Sequence, residues 1–338
     1  MAGWGMAESD QDMWTPKRDV TERDVRLARE RIVPVAIRTP LLPSRGLSQR
    51  VGTPVYLKLE NLQDTGSFKI RGAANKMLTL GPDERERGVV TVSTGNHGRA
   101  VAHVARRLNM RAVVCVPTGT AYNKREAIER LGAEIVYGGE TYDENEEASF
   151  ELARERGLVL ISPDDDPLII AGQGTVGLEI VEDLPAVSTV LVPVGGGSLV
   201  SGIGLALKAA DGGKRVIGVS MDRAPVMYHS LKAGKPLRME QEETLADALV
   251  GGIGAEAQYS FRLAQELIDD FVLVSEDEIA SAMVFALEEH HLVVEGGGAV
   301  GIAALLSGKL AEMKGSVVVV VSGGNVDLPL LLRLAEAG

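Results

Sequence analysis

The sequence predicts an α/β protein built on open parallel sheets arranged in two lobes. Three observations carry that prediction. Short β-branched runs alternate with longer amphipathic stretches, the runs are apolar throughout, and glycine-bearing turns follow several of them. Strands buried on both faces read as continuous apolar runs, and crossover helices between parallel strands account for the spacing.

Taken in order, "VVTVS" (89–93) leads into the helical "GRAVAHVARRLN". "AVVCVP" (112–117) leads into "NKREAIERLG", where Gly132 is a suitable helix stop. "AEIVYGG" precedes the acidic helix "DENEEASFELARERG". "LVLISP", "TVLVPVGGG", "RVIGVS", "FVLVS" and "SVVVVVSGG" continue the rhythm. Neither an internal repeat nor a low-complexity linker interrupts it, so the boundary between lobes is expected where the chain crosses from one to the other. A chain of 338 residues, 45% hydrophobic and 24% charged, is long enough to bury two cores.

The formal charge of -12 argues against a nucleic-acid or anionic-membrane surface, because phosphate binding needs clustered Lys and Arg that acids do not cancel. A small molecule is the expected partner. The single cysteine, Cys115, excludes an intrachain disulfide and a cysteine metal site, and fits a reducing cytoplasm. The opening "MAGWGMAESDQDMWTP" carries acids where a signal peptide has a basic start. No run of roughly 20 apolar residues occurs. Residues 1–16 are therefore expected to be a flexible terminus ahead of a soluble protein.

Five glycine-bearing turns stand at strand ends: "DTGSFK", "STGNHG", "GGGS", "EGGGA" and "SGGN". In open α/β sheets ligands lie in the crevice beyond the carboxyl ends of the strands, and glycine lets backbone amides approach an anion. The stretch "VPVGGGSLVSG" (192–202) is the most informative. Three glycines follow a strand and Ser198 opens a helix, so several N–H groups and a hydroxyl converge at a positive helix end. The dinucleotide spacing fails at Val200, no GxxxxGK[ST] occurs, and Gly196, Ser198 and Val200 break GxSxG. A small phosphorylated cofactor suits such a cup. With it, a lysine on a glycine-led turn, Lys69, becomes a candidate Schiff-base lysine for pyridoxal phosphate.

"ENLQDTGSFKIRGA", "STGNHGRAVA", "VPVGGGSLVSG" and "SGGN", in this order, resemble the fold-type-II pyridoxal-phosphate enzymes. Within these they most resemble the serine/threonine dehydratase (ammonia-lyase) family, which includes serine racemases. The resemblance implies a tryptophan-synthase-β-like architecture, a homodimer, and the cofactor between the lobes. A small lobe, 63–160, would be inserted in a large cofactor-binding lobe made of 17–62 and 161–338.

Residue by residue, the resemblance makes Lys69 the covalent anchor of the cofactor and the acid/base at the substrate Cα, with Phe68 packing near the ring. Asn96 would hydrogen-bond the phenolic oxygen of the cofactor. Backbone groups of Ser93, Thr94, Gly95, Asn96 and His97 would grip the substrate carboxylate, and the imidazole of His97 receives no acid/base role. Gly195, Gly196, Gly197 and Ser198 would hold the phosphate, and Ser322 would face the pyridine nitrogen. A neutral hydroxyl there makes the ring a milder electron sink than a carboxylate would, which favours expulsion of a β-substituent over transamination.

The implied reaction is dehydration and deamination of a β-hydroxy amino acid to a 2-oxo acid and ammonia. Thr94 stands where racemising relatives carry a serine as the opposite-face base, so its hydroxyl is the candidate for that role. Ser220 and Met221 stand where cation-binding relatives place an acid, so no metal is expected. The alternatives are a racemase or β-replacement enzyme of the same fold, and a ligand-binding protein without catalysis. "STGNHGRAVA", "NKREAIERLGAE" and "AGQGTVGLEI" further resemble hydroxyectoine-utilisation and phenylserine dehydratases, which implies a β-hydroxy amino acid other than threonine as the preferred substrate.

Overall fold

Five consecutive valines, 317–321, are fully buried and form an interior strand of a six-stranded sheet. The computed structural model that shows this describes residues 19–93, 95–251, 253, 258–310 and 313–337. The terminus expected at 1–16 lies outside them. In chain order the first elements are α1 (Glu22–Ile32), β1 (Leu41–Pro43), α2 (Arg45–Val51), β2 (Val55–Leu59), α3 (Lys69–Leu78) and α4 (Pro82–Arg87). There follow β3 (Val89–Val92), α5 (Asn96–Arg107), β4 (Ala112–Pro117), α6 (Tyr122–Glu129), β5 (Glu134–Gly139), α7 (Tyr142–Arg156) and β6 (Val159–Leu160). The remainder comprises α8 (Pro167–Asp183), β7 (Val187–Pro193), α9 (Ser198–Ala210), β8 (Arg215–Met221), α10 (Val226–Ala233) and α11 (Ser260–Leu267). The last elements are β9 (Asp270–Val274), α12 (Glu276–His290), α13 (Gly296–Leu306), β10 (Ser316–Val321) and α14 (Leu328–Ala337).

The strands form two sheets, ordered β1-β2-β10-β7-β8-β9 and β5-β4-β3-β6. All pairs are parallel except the edge pair β1–β2. The open parallel sheets expected from the sequence are observed, with one antiparallel strand added at an edge, and β2 itself escapes a reading by apolar runs because Lys58 sits in it, fully buried. "LVLISP" yields only the two-residue β6, although the next residue, Ile161, still donates its N–H to the Val90 carbonyl of β3 at 2.9 Å.

Helix starts follow local chemistry. Thr141 caps α7 and Ser275 caps α12, each with a glutamate at the third helical position closing a capping box. Asp166 caps α8, with Pro167 at its first turn. α8 and α9 cross where Gly202 meets Gly174, and a Cβ on Gly174 would lie 2.8 Å from the Gly202 carbonyl oxygen. Only glycine permits that approach. Among the described residues no helix is long and apolar enough to cross a membrane.

Candidate active site

Loops at the carboxyl ends of strands from both sheets meet in one cleft, as open parallel sheets dictate. The turn after β3 opens α5 with Asn96, the turn after β7 opens α9 with Ser198, and Ser322 follows β10. Asp164 lies beyond β6, and Lys69 is the first residue of α3. Hydrogen bonds join these loops across the two sheets.

Lys69 Nζ donates to Asp164 Oδ1 at 2.8 Å and to the Pro163 carbonyl at 2.9 Å. It lies 5.3 Å from the centroid of the Phe68 ring, a cation–π contact on the stem that leads to it. Ser198 Oγ donates to the same Asp164 Oδ1 at 2.7 Å. Burial pushes the Asp164 carboxyl up, but the Lys69 charge and the hydrogen bonds from Lys69 and Ser198 outweigh it and hold the acid ionised below its ordinary value.

His97 is buried in the same neighbourhood, with Nε2 3.2 Å from the Ile161 carbonyl. Its pKa is lowered to about 4 by burial and then by the Lys69 charge, so the imidazole is neutral.

A second group lies beside Ser322. Asn96 Nδ2 donates to Glu295 Oε1 at 2.6 Å, and Asn96 Oδ1 accepts from Asn325 Nδ2 at 2.6 Å. The backbone N–H of Asn325 donates to Glu295 Oε2 at 3.0 Å. Burial pushes the Glu295 carboxyl up to about 7, Asp247 adds to the rise, and the bonds from Asn96 and Asn325 oppose it. Ser322 is buried, its Oγ 3.4 Å from the Gly297 carbonyl, and its own carbonyl accepts from the Phe68 N–H at 3.1 Å. That last bond ties the lysine turn to the end of β10.

These residues fit a phosphorylated aldehyde cofactor. Gly197 has φ +96°, a backbone that side chains rarely adopt, and a Cβ on Gly195 would lie 2.9 Å from the Leu249 carbonyl. A Cβ on Gly196 would run into the Asp164 carboxylate. The loop and the start of the 13-residue α9 therefore leave a cradle of amides with one hydroxyl, and an anion, the Asp164 carboxylate, already rests on that hydroxyl. An amine at the same anion completes what an aldehyde and a phosphate need.

The structure thus brings Lys69, His97, Ser198 and Gly196 around Asp164, and Asn96 and Asn325 onto Glu295, whose N–H donates to the carbonyl of Gly323, the residue after Ser322. Ser93 Oγ accepts from the Gly95 N–H at 3.2 Å, which shapes the turn into α5. Thr94 lies outside the described residues. Sequence reasoning missed Asp164, Glu295 and the role of Asn325. In "PDDDP" nothing separates Asp164 from its neighbours, whereas Glu295 could have been suspected from an acid set before three glycines.

The chain is 48% identical over 303 residues to a putative threonine dehydratase from Sinorhizobium fredii, spanning 90% of this chain and 91% of that one. It is 42% identical over 319 residues to an L-threonine ammonia-lyase from Thermotoga maritima, spanning 94% and 79%. The structure of maize serine racemase superposes with a TM-score of 0.88 at 34% identity, over 94% and 97% of the two chains. The description "pyridoxal-phosphate dependent enzyme" matches residues 32–323. With that match and these relatives, the chain belongs to the fold-type-II pyridoxal-phosphate dependent enzymes, among the serine/threonine dehydratases.

Proposed function

We propose that the protein eliminates water from a β-hydroxy amino acid and releases an enamine that water hydrolyses to a 2-oxo acid and ammonia. The observation that carries this reading is the convergence of Lys69 Nζ and Ser198 Oγ on one anion beside a glycine cradle. Bound pyridoxal phosphate supplies an electron sink for the substrate Cα. Lys69 holds the cofactor and then takes the Cα proton, its position set by its place at the head of α3. Ser198 and the amides of Gly195, Gly196 and Gly197 hold the phosphate, and Phe68 packs beside the ring. Asn96 orients the phenolic oxygen, and Ser322 offers the ring nitrogen a hydroxyl rather than a carboxylate. Backbone N–H groups of residues 93–97 receive the substrate carboxylate, which selects the amino-acid core and leaves the β-substituent to the pocket. Loss of the β-hydroxyl as water, then hydrolysis of the released enamine, balances the reaction.

The similarity to threonine dehydratases supports elimination as the main reaction. The similarity to a serine racemase supports racemisation as a second reading, with Thr94 as the opposite-face base. A homodimer in the cytoplasm and a specialised substrate, such as a diamino acid derived from hydroxyectoine or a phenylserine, belong to the same proposal. The test incubates cofactor-saturated protein with L-serine, L-threonine, threo-3-hydroxyaspartate and phenylserine, and reads 2-oxo acid, ammonia and inverted amino acid. Formation of 2-oxo acid with ammonia supports elimination. Inversion without ammonia replaces it with racemisation, and neither product overturns both.

A further inference from the structure

Asn96 and Arg99 stand three positions apart on α5, and both reach Asn325, which follows β10. Arg99 Nη1 donates to Asn325 Oδ1 at 2.6 Å. Asn325 Nδ2 donates to the Thr65 carbonyl at 2.8 Å and to Asn96 Oδ1 at 2.6 Å, so both of its hydrogens are used. Asn96 Nδ2 gives one hydrogen to Glu295 Oε1 at 2.6 Å, and its second hydrogen meets no acceptor among the described residues. The donors therefore all run one way, from Arg99 through Asn325 and Asn96 to Glu295. Asn325 has little room to turn, since a Cβ on Gly66 would already lie 2.6 Å from its Oδ1.

Resting on the cofactor assignment above, we infer that Arg99 is a positioning residue that acts through Asn325 to hold and polarise the Asn96 amide where it meets the phenolic oxygen of the cofactor. The Thr65 carbonyl and Glu295 settle which way the two amides face. Arg99 adds charge. A cation on the carbonyl end of an amide makes its N–H a stronger donor, and the effect passes along a chain of hydrogen bonds. Among the described residues Arg99 is the only cation bonded to this chain, because Lys69 is turned to Asp164. Burial lowers the Arg99 pKa and the charges of Glu295 and Asp327 oppose that, while a guanidinium stays charged in proteins. The spare hydrogen of Asn96 is the end of the chain, so Arg99 should matter to a ligand that carries the phenolic oxygen and not to one that lacks it.

The test is fluorescence titration of cofactor-free protein with pyridoxal phosphate and with 3-deoxypyridoxal phosphate, which keeps the aldehyde and the phosphate. Wild type is expected to prefer pyridoxal phosphate at least tenfold. Arg99→Met should lose about fivefold in affinity for pyridoxal phosphate and less than twofold for the deoxy ligand, with Arg99→Lys between it and wild type. In an Asn96→Ala background the same substitution should change neither affinity by more than twofold, because the path from Arg99 is cut. Urea melts establish that the variants fold, and Arg99→Gln takes the place of Arg99→Met if the latter does not. Equal losses for the two ligands would show a merely structural role and overturn the inference, as would the same loss in the Asn96→Ala background or no loss at all. Equal binding of the two ligands by wild type overturns both this inference and the placement of Asn96 at the phenolic oxygen. Formation of 2-oxo acid without any Arg99-dependent preference sinks this inference and leaves the lyase reading intact. The Arg99-dependent preference with no 2-oxo acid from any substrate sinks the lyase reading and leaves this one.

Discussion

Asn96 and Glu295, 199 positions apart, meet through a 2.6 Å hydrogen bond from the asparagine amide to a carboxylate that burial has pushed up to about 7. The bond ties the start of α5, from the four-stranded sheet, to the start of α13, which packs on the six-stranded one. It makes the join between the sheets sensitive to protonation.

The sign follows from linkage. Glu295 has a folded pKa above its ordinary 4.5, so the folded state binds the proton more tightly. Its stabilising contribution is full below about pH 4.5 and is lost as pH rises through about 7. A shift of this size corresponds to on the order of 3 kcal/mol. Glu295→Gln removes the titration. Urea melts of the cofactor-free proteins should show wild type losing stability relative to Glu295→Gln between pH 5 and pH 8. A pH-independent difference would mean that Glu295 is not protonated in this range.

Lys69→Ala should abolish both turnover and the visible absorption of the lysine-bound cofactor, because Lys69 alone offers an amine at the glycine cradle among the described residues. Borohydride treatment followed by peptide mapping gives the check. A reduced cofactor adduct on another lysine of the variant would refute the assignment.

Gly196→Val should weaken cofactor binding at least tenfold, about 1.4 kcal/mol. The added side chain fills the space against Asp164 that the loop keeps open. Fluorescence titration of cofactor-free protein measures it, and unchanged affinity would move the phosphate site elsewhere.

Ser322→Asp should depress elimination and raise side transamination. A carboxylate at this buried position would stabilise a proton on the ring nitrogen and deepen the electron sink. The ratio of 2-oxo acid to aminated cofactor per turnover reads the partition directly. A ratio equal to that of wild type would remove Ser322 from the site.

Much of this was legible in the sequence because each element obeys a local rule. The run Val317–Val321 announces a strand covered on both faces, and the glycine-led turns announce close backbone approach. β2 was not legible, since Lys58 within it is neutralised by Glu179, 121 positions away, at 2.6 Å. Asp164 was hidden for the same kind of reason. Its neighbours look identical in sequence, and only the contacts of each carboxylate distinguish cap, brace and cleft. Charges whose partners are distant in the chain are what a linear reading cannot resolve.

The helix that carries Lys69 is held by such a charge cluster, and its disruption is the most severe change expected. Arg71, two residues after Lys69, is fully buried and donates to Glu60 at 2.7 and 2.8 Å and to Glu179 at 2.7 and 2.9 Å. Lys58 joins through Glu179, and Thr39 donates to Glu60 at 2.5 Å. Burial alone would raise the Glu60 pKa, and the Arg71 and Lys58 charges reverse it. Removing the guanidinium leaves Lys58 as the sole buried cation facing Glu60 and Glu179 among these residues. Breaking a buried ion pair from one side costs roughly 3–5 kcal/mol. Arg71→Met is therefore expected to lower the urea midpoint strongly and to cut cofactor occupancy, since the start of α3 loses its anchor. Arg71→Lys keeps the charge but not the fork geometry, and should fall between the two. If Arg71→Met unfolds at the wild-type midpoint, the cluster does not hold Lys69 in place, and the position of that lysine must be attributed to the bond between Phe68 and Ser322 instead.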